Sequence, residues 1–181
     1  MPAGRGLPAG SSRALLSIMS TFEIDVGKSE LSFAAGHFIT YGGGRCERLH
    51  GHNYRVGVRI SGELNEDGLV YDFVALKRRV SALVADLDHK MLVQTANRTL
   101  GVDADDREVR VLHGEYTYVF PRRDVVLLPV ENTTAEMLAE YLAGLLVEEL
   151  GERSNLAAIV VEVEESPGQS ATFRRSLGAG P

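Results

Sequence analysis

The motif His50-Gly51-His52 could bind a metal ion, because residues i and i+2 of an extended chain project to the same face. Gly51 carries no side chain that would obstruct the approach of both imidazoles to one ion. His37 ends the preceding strand-like segment, where an antiparallel neighbour would bring it alongside. Three neutral imidazoles suit Zn²⁺ and leave its fourth tetrahedral position open, as catalysis requires. The alternative interpretation of this motif is a chance pair of exposed histidines.

Cys46 precedes His50 by four residues and is a candidate base. A nearby cation lowers the pKa of a thiol, and the resulting thiolate can accept a proton. The alternative is a small buried apolar residue, although the neighbours Arg45, Glu47 and Arg48 argue against full burial. Since the chain has a single cysteine, it forms no internal disulfide, and we expect a reducing cytoplasm as its location.

The composition indicates one globular domain over residues 21–181. The chain has 181 residues, of which 44% are hydrophobic and 24% charged, with a formal net charge of -6. This excess of acidic groups argues against general binding of nucleic acid or of a membrane surface, while a small anionic substrate in a local basic pocket stays compatible. No apolar run reaches the roughly 20 residues of a membrane helix. Residues 1–20, rich in Gly, Ala, Ser and Pro, are predicted to be a disordered tail.

The strand signals indicate an antiparallel sheet. A strand, an interruption at Gly27-Lys28-Ser29 and a second strand fill residues 22–38, for which a hairpin is the simplest interpretation. The two-residue alternation over 53–61 predicts a half-buried strand. The Val- and Ile-rich segment 157–164 predicts another strand, and 170–174 a last edge strand.

Two helices are predicted between these strands. Asp72 is the expected N-cap of the first helix, whose apolar residues follow 3.6-residue spacing until it ends near Asp88-His89. The segment Thr133-Thr134-Ala135-Glu136 has capping-box spacing before an apolar stripe that runs to Leu150. Strands grouped in hairpins, with two helices inserted between them, indicate an α+β fold with the helices on one face. Its open sheet edges favour edge-to-edge oligomerisation.

A further hairpin is predicted over residues 108–120, because apolar residues alternate on both sides of His113-Gly114-Glu115. His113, in the turn, is expected to be a surface residue. The preceding segment, 92–107, has little pattern. The region from about 92 to 130 is therefore treated as an insertion that carries this hairpin.

Six motifs occur in an order that resembles a known family: FAAGH at 33–37, CERLHGHNY at 46–54, GLVYDF at 68–73, LDH at 87–89, NTTAE at 132–136 and VEES at 163–166. Together they resemble the 6-pyruvoyl-tetrahydropterin synthase / 6-carboxy-tetrahydropterin synthase family over about residues 21–174. The resemblance implies a tunnelling fold, in which each subunit has a four-stranded antiparallel sheet and two helices. Three such subunits would form a barrel, and two trimers would stack into a hexamer.

The same resemblance implies roles for particular residues. His37, His50 and His52 would hold Zn²⁺, and Cys46 would abstract the proton. Asp88 and His89 would form a second acid/base pair, although the pair could simply close a helix. Glu165 would anchor a pterin ring, with the segment containing Thr133, Thr134 and Glu136 beside it. Without the resemblance, Glu165 would be part of a solvated acidic cluster and Glu136 only a capping partner. Active sites in the family lie between subunits.

Two residues distinguish subgroups of the family. Cysteine four residues before the HxH, as Cys46 stands, resembles the bacterial 6-carboxy-tetrahydropterin synthases of queuosine biosynthesis. Glu47, three residues before His50, matches the subgroup that uses glutamate to make 6-hydroxymethyl-dihydropterin for folate, but it could equally be an exposed loop carboxylate. Both bases are present in the CExxHGH arrangement, which raises the hypothesis of a dual-function enzyme. The Gly42-Gly43-Gly44 run and the insertion depart from the family pattern.

The expected function is therefore a zinc-dependent lyase. It would convert 7,8-dihydroneopterin triphosphate to 6-carboxy-5,6,7,8-tetrahydropterin and release acetaldehyde and triphosphate. The alternative products are 6-hydroxymethyl-dihydropterin and 6-pyruvoyl-tetrahydropterin. Two alternatives from other functional classes are a pterin-binding module without turnover and a protein in which zinc has only a structural role and stabilises the strands.

Overall fold

The computed structural model describes residues 21–27, 29–151 and 153–178, so the predicted tail at 1–20 lies outside the described residues. The first half contains β1 (Phe22–Val26), β2 (Ser32–His37), β3 (Thr40–Tyr41), β4 (Arg45–Cys46), β5 (His50–Gly62), α1 (Phe73–Ala85) and β6 (Lys90–Gln94). The second half contains β7 (Gly101–Ala104), β8 (Glu108–His113), β9 (Tyr116–Pro121), a short 3₁₀ turn (Arg122–Asp124), β10 (Val125–Leu128), α2 (Ala135–Leu150), β11 (Leu156–Ser166) and β12 (Gln169–Ser176).

The main sheet is mixed and has seven strands in the order β10-β6-β2-β5-β11-β12, with β1 also paired to β5. The strands β2, β5, β11 and β12 pair antiparallel with one another in that order, while β6 pairs in parallel with both β2 and β10. The sheet thus differs from the four-stranded antiparallel sheet expected. The sequence did not indicate β6 and β10, because β6 is almost continuously buried and lacks the polar alternation of a half-exposed strand.

The predicted hairpin over residues 22–38 is wrong. Both β1 and β2 pair with β5 and not with each other: β2 lies along its first half, from His37 opposite His50, and β1 along its second half, with Phe22 opposite Gly62. The 13-residue length of β5 leaves room for two short strands in succession on one side. The interruption after Val26 therefore separates two strands that run in the same direction.

The core lies between the sheet and the two helices. One face of β5 is buried through alternate residues, which are Tyr54, Val56, Val58 and Ile60. They share one apolar cluster with Leu76 of α1 and Leu142 of α2, and burial of each such side chain contributes about 2 kcal/mol. The alternate residues Arg55 and Arg59 point to the other side, which we call the helix-free face.

The helix boundaries differ in part from those predicted. Asp72 caps α1 as expected, since its carboxylate accepts a hydrogen bond from the Ala75 amide at 2.6 Å, but α1 ends at Ala85 rather than near Asp88-His89. The N-cap of α2 is Thr134. Neither α1 nor α2, the helices of the described chain, is long and apolar enough to cross a bilayer.

A separate antiparallel sheet of β7, β8 and β9 forms within the predicted insertion. The hairpin of β8 and β9 is confirmed, and β7 adds a third strand. Val109 and Val111 of this inserted sheet pack with Phe38, Met91 and Val93 in a second apolar cluster, which we call the second core. The predicted insertion, residues 92–130, also contains β10 and most of β6. Both of these strands belong to the main sheet.

Replacement of Gly62 tests the corner where β1, β5 and β11 meet. A Cβ at this position would overlap the backbone carbonyl oxygen of Asn155, so we expect Gly62→Ala to lower the free energy of unfolding by about 2 kcal/mol. Gly144→Ala is the matched control, because Gly144 lies inside α2 with open space around it, and alanine should add about 1 kcal/mol there. Urea unfolding at one protein concentration measures both, and an unchanged midpoint for Gly62→Ala would contradict the close approach.

Candidate metal centre and active site

The three predicted histidines converge. His37 is the last residue of β2 and pairs directly with His50, the first residue of β5, while His52 lies two residues further along the same face. Their nearest ring nitrogens all lie within 4.8 Å of one another, and the Nε2 atoms of His37 and His50 are 3.1 Å apart. This spacing is close enough for one metal ion to be bound by all three imidazoles.

Backbone carbonyls fix two of these rings. Nδ1 of His37 lies 2.9 Å from the Thr133 carbonyl oxygen and Nδ1 of His50 lies 2.8 Å from that of Arg48. Because a carbonyl can only accept, both Nδ1 atoms must donate, which leaves the Nε2 lone pairs facing each other. Burial lowers the pKa of His37 and so favours the neutral form. Facing lone pairs repel unless a cation lies between them, so the arrangement fits a metal centre.

Glu165 near the end of β11 lies beside this centre. Its Oε1 atom is 3.4 Å from Nε2 of His37 and 3.6 Å from Nε2 of His52. The Tyr54 hydroxyl donates to the same oxygen at 3.4 Å, and burial, followed by the Glu165 charge, raises the pKa of Tyr54. Tyr54 was not among the predicted site residues, although it is the third of the alternate residues that begin with His50. Its ring stacks on Phe33, with centroids 4.8 Å apart.

A pocket of about 560 Å³, which we call the metal pocket, opens over the three histidines. Four predicted residues line it together with them: Glu47, Thr134, Glu136 and Glu165. The pocket thus combines a potential metal centre with carboxylates that can accept hydrogen bonds or protons.

Thr133 does not line this pocket, and the predicted capping box is wrong. Thr133 is buried and its hydroxyl donates to the Phe38 carbonyl at 3.1 Å. The side chain that accepts from the Met137 amide belongs to Thr134, so α2 begins one residue later than capping-box spacing suggests. Thr133 therefore contributes to the site through its backbone carbonyl, which accepts the hydrogen bond from Nδ1 of His37.

Cys46 and Glu47 are directed to opposite sides. Glu47 lines the metal pocket, whereas Cys46 packs against the second core. The Cys46 thiol lies 3.4 Å from the Glu47 carbonyl oxygen, to which it donates. Burial raises the pKa of this thiol, and the Glu47 charge adds to the effect, so the protein groups around Cys46 oppose the lowering that a cation would produce.

Asp88 and His89 lie in a turn after α1. Asp88 Oδ1 accepts from the Ala34 amide at 2.8 Å and Oδ2 lies 2.8 Å from His89 Nδ1. The Ala34 bond, followed by the His89 bond, lowers the pKa of Asp88. His89 has φ 56°, a strained value for a side chain other than glycine. Hydrogen-bonded turns continue from the end of α1 to Asp88, so the alternative that the pair closes the helix stays open.

His89 lines a different space from the metal pocket. It lies with Lys90 and Arg55 around an open cleft of about 840 Å³ on the helix-free face. Gly36 and Gly51 form part of the cleft floor, and the two spaces share the lining residues His52 and Glu165. Within one chain, the structure therefore does not bring Asp88 and His89 into the metal pocket.

Removal of one imidazole tests the metal centre. We expect His52→Ala to weaken binding of a divalent metal by more than ~10-fold, because two imidazoles remain. Cys46→Ala is the control and should retain its metal, since the sulfur does not line the pocket. Elemental analysis and competition with a chromogenic chelator measure both variants. Loss of the metal from Cys46→Ala would instead indicate a closed structural site.

Sequence comparisons connect this geometry to known proteins. The family model of 6-pyruvoyl tetrahydropterin synthase matches residues 27–176. A putative 6-carboxy-5,6,7,8-tetrahydropterin synthase of Methanocaldococcus jannaschii is 34% identical over 150 residues, which cover 81% of this chain and 91% of the relative. The 6-carboxy-5,6,7,8-tetrahydropterin synthase of Bacillus subtilis is 34% identical over 160 residues, covering 87% of this chain and 88% of that protein.

The fold has matching solved structures. The crystal structure of 6-pyruvoyl tetrahydropterin synthase from Plasmodium vivax has a TM-score of 0.81 and 31% identity, covering 87% of this chain and 99% of that chain. A variant of the Plasmodium vivax protein is named for the replacement of a catalytic glutamate. Since the family match, the relatives and the fold agree over most of the chain, this protein belongs to the 6-pyruvoyl tetrahydropterin synthase family.

Proposed function

We propose that this protein is a zinc-dependent pterin synthase that converts 7,8-dihydroneopterin triphosphate to 6-carboxy-5,6,7,8-tetrahydropterin, with release of acetaldehyde and triphosphate. The observation that carries the proposal is the convergence of three imidazoles, with Nδ1 of His37 and His50 held by carbonyls, beside Glu165 in one open pocket. The names of the archaeal and bacterial relatives support the choice of product. Such a product would serve queuosine biosynthesis.

Zinc is the ion that this set of ligands favours. His37, His50 and His52 offer three neutral nitrogen ligands and leave a fourth position for substrate oxygen. When bound, the ion would polarise substrate hydroxyl and carbonyl oxygens and stabilise negative charge that develops on them. The carbonyls of Thr133 and Arg48 would keep the two rings aimed at it.

Glu165 is the group that would orient the pterin ring. A carboxylate can accept two parallel hydrogen bonds from the donor edge of a 2-amino-pyrimidinone. The Tyr54 hydroxyl occupies one lone pair of Oε1, so both carboxylate oxygens would keep a lone pair for this contact. Thr134 and Glu136 line the same pocket and would lie beside the bound ring.

The identity of the base distinguishes two candidate functions. Under the leading proposal, Cys46 takes the proton from the substrate side chain. The second candidate is formation of 6-hydroxymethyl-dihydropterin with Glu47 as base. It is favoured by one observation, that Glu47 lines the metal pocket while Cys46 packs against the second core. Burial and the Glu47 charge raise the pKa of Cys46, which also favours the carboxylate as base at neutral pH.

Asp88 and His89 would act in the pocket of a neighbouring subunit. The pair lies outside the metal pocket of its own chain, and His89 is exposed on the helix-free face. The outer strands β10 and β12 each pair with one neighbour within the described chain, so open edges are available for pairing between copies. We infer a trimer or hexamer in which neighbouring chains complete each site.

Product analysis tests the reaction and its base. With 7,8-dihydroneopterin triphosphate, we expect wild type to form the 6-carboxy product and Cys46→Ala to lose ~100-fold or more in rate, as expected for a lost general base. Glu47→Gln should retain this product. A 6-hydroxymethyl product that persists in Cys46→Ala and disappears in Glu47→Gln would favour the second candidate. Pterin binding without any product, at full zinc loading, would contradict both.

Subunit mixing tests whether neighbouring chains share a site. His52→Ala and His89→Ala should each be inactive as homo-oligomers. After co-refolding in equal amounts, we expect roughly a quarter of the wild-type activity, because random mixing leaves that share of neighbouring pairs intact on both sides. The control is an equal mixture of Cys46→Ala with His52→Ala. If both of these groups act within one chain, no pair of neighbouring chains has an intact site, and we expect no recovery of activity. No recovery in the first mixture would contradict the shared site.

A further inference from the structure

Cys46 ends a two-stranded ribbon with a weakly constrained turn, and Glu47 is the residue that follows this ribbon. In this ribbon, β3 pairs with β4 so that Thr40 lies opposite Cys46. The turn is Gly42-Gly43-Gly44, with φ of 54°, 82° and 111°, and one turn hydrogen bond from the Gly44 amide to the Tyr41 carbonyl at 3.2 Å. Three successive glycines confer wide backbone freedom. Other parts of the protein must therefore hold the ribbon in one conformation.

The inserted sheet supplies a contact at the tip of the ribbon. His113, the last residue of β8, has Nε2 only 2.7 Å from the Gly44 carbonyl oxygen. Because this oxygen can only accept, His113 donates from Nε2. Its Nδ1 atom is buried and has no hydrogen-bond partner among the described residues, so the Gly44 contact is the one polar bond that orients the ring there.

This contact contradicts the expectation that His113 is merely a surface residue. The end of the hairpin around it is open, since Leu112 is 45% exposed and Tyr116 64% exposed. His113 is only partly exposed and is turned towards the ribbon rather than towards solvent. The bond joins residues 69 positions apart, so the three-stranded insertion reaches back to the loop that bears the two candidate bases.

The base of the ribbon is held separately. Asn97 donates to the Thr40 hydroxyl at 2.7 Å, and Asn132 donates to the Thr40 carbonyl at 2.7 Å. The Glu47 amide donates to the Ile39 carbonyl at 2.8 Å. These bonds fix the base of the ribbon and the His113 contact fixes its Gly44 end, so the two ends together set the twist of the ribbon between them.

The orientation of the ribbon decides which base faces the metal pocket. Cys46 ends β4 and packs against the second core, whereas Glu47, the next residue, lines the metal pocket, so the two do not face the pocket together. A one-residue slip or a twist of the ribbon would exchange them. We propose that His113 is a positioning residue that, through the Gly44 carbonyl, holds Glu47 towards the metal pocket and Cys46 against the second core. The catalytic part of this inference rests on the second candidate of the proposed function, in which Glu47 is the base, whereas the positional part does not.

Alkylation of Cys46 tests the positional part without any turnover. Cys46 is the single cysteine of the chain, so labelling by iodoacetamide reports on this position alone. We expect His113→Ala to raise the alkylation rate about fivefold, the change that loss of one ordinary hydrogen bond permits. His113→Gln should restore the wild-type rate, because its amide can still donate to Gly44. Glu115→Ala, exposed in the same hairpin turn, is the matched control and should leave the rate unchanged.

Kinetics test the catalytic part. We expect His113→Ala to lower kcat with little change in KM, because the pocket residues that bind substrate are not altered, and His113→Gln to recover kcat. Equal alkylation rates for wild type and His113→Ala, with circular dichroism and metal content unchanged, would overturn the proposal. Failure of His113→Gln to rescue would do the same. If His113→Ala is alkylated faster than wild type but neither protein forms a pterin product, the positional inference is upheld and the proposed function is rejected.

Discussion

The register between β2 and β5 is the constraint on which the candidate site depends. It places His37 opposite His50 and Gly36 opposite Gly51. A Cβ on Gly51 would lie 2.9 Å from the Ala35 carbonyl oxygen, closer than such atoms approach in folded proteins, so the two backbones meet here because glycine carries no side chain. A slip of one residue would turn the histidines of β5 to the helix-free face. The cluster of histidines that could hold a metal ion and the close approach of the strands are therefore parts of one feature.

The remaining parts of the centre come from distant segments and hold it in place. The Thr133 carbonyl reaches His37 across 96 positions, and the Tyr54 hydroxyl reaches Glu165 across 111. Each contact uses a group whose own position is fixed: Thr133 is tied to the Phe38 carbonyl, and Tyr54 is buried against Phe33. Such support keeps imidazole nitrogens directed at an ion before it binds, which lowers the cost of binding.

The two faces of the main sheet divide the candidate chemistry. The metal pocket opens on the side of the histidines, and His89 of the Asp88-His89 pair borders the cleft on the helix-free face. This separation is the observation behind the proposal that neighbouring chains complete each site. The ribbon of β3 and β4 makes a comparable division on a smaller scale, since it directs Glu47 to the pocket and Cys46 to the second core. In both cases, chemistry depends on which side of a backbone a side chain occupies.

Local spacing and periodicity were enough to predict the His50-His52 pair, the Asp72 cap, the β8-β9 hairpin and the alternation of elements typical of the α+β class. Pairing between distant segments brings His37 to that pair, joins β6 and β10 to the sheet in parallel, makes Thr134 rather than Thr133 the cap of α2, and turns Glu47 towards the pocket. It also decided that His113 contacts Gly44. These features arise from contacts between segments far apart in the chain, and local pattern carries no information about which distant group will satisfy a buried polar atom or cover an apolar strand.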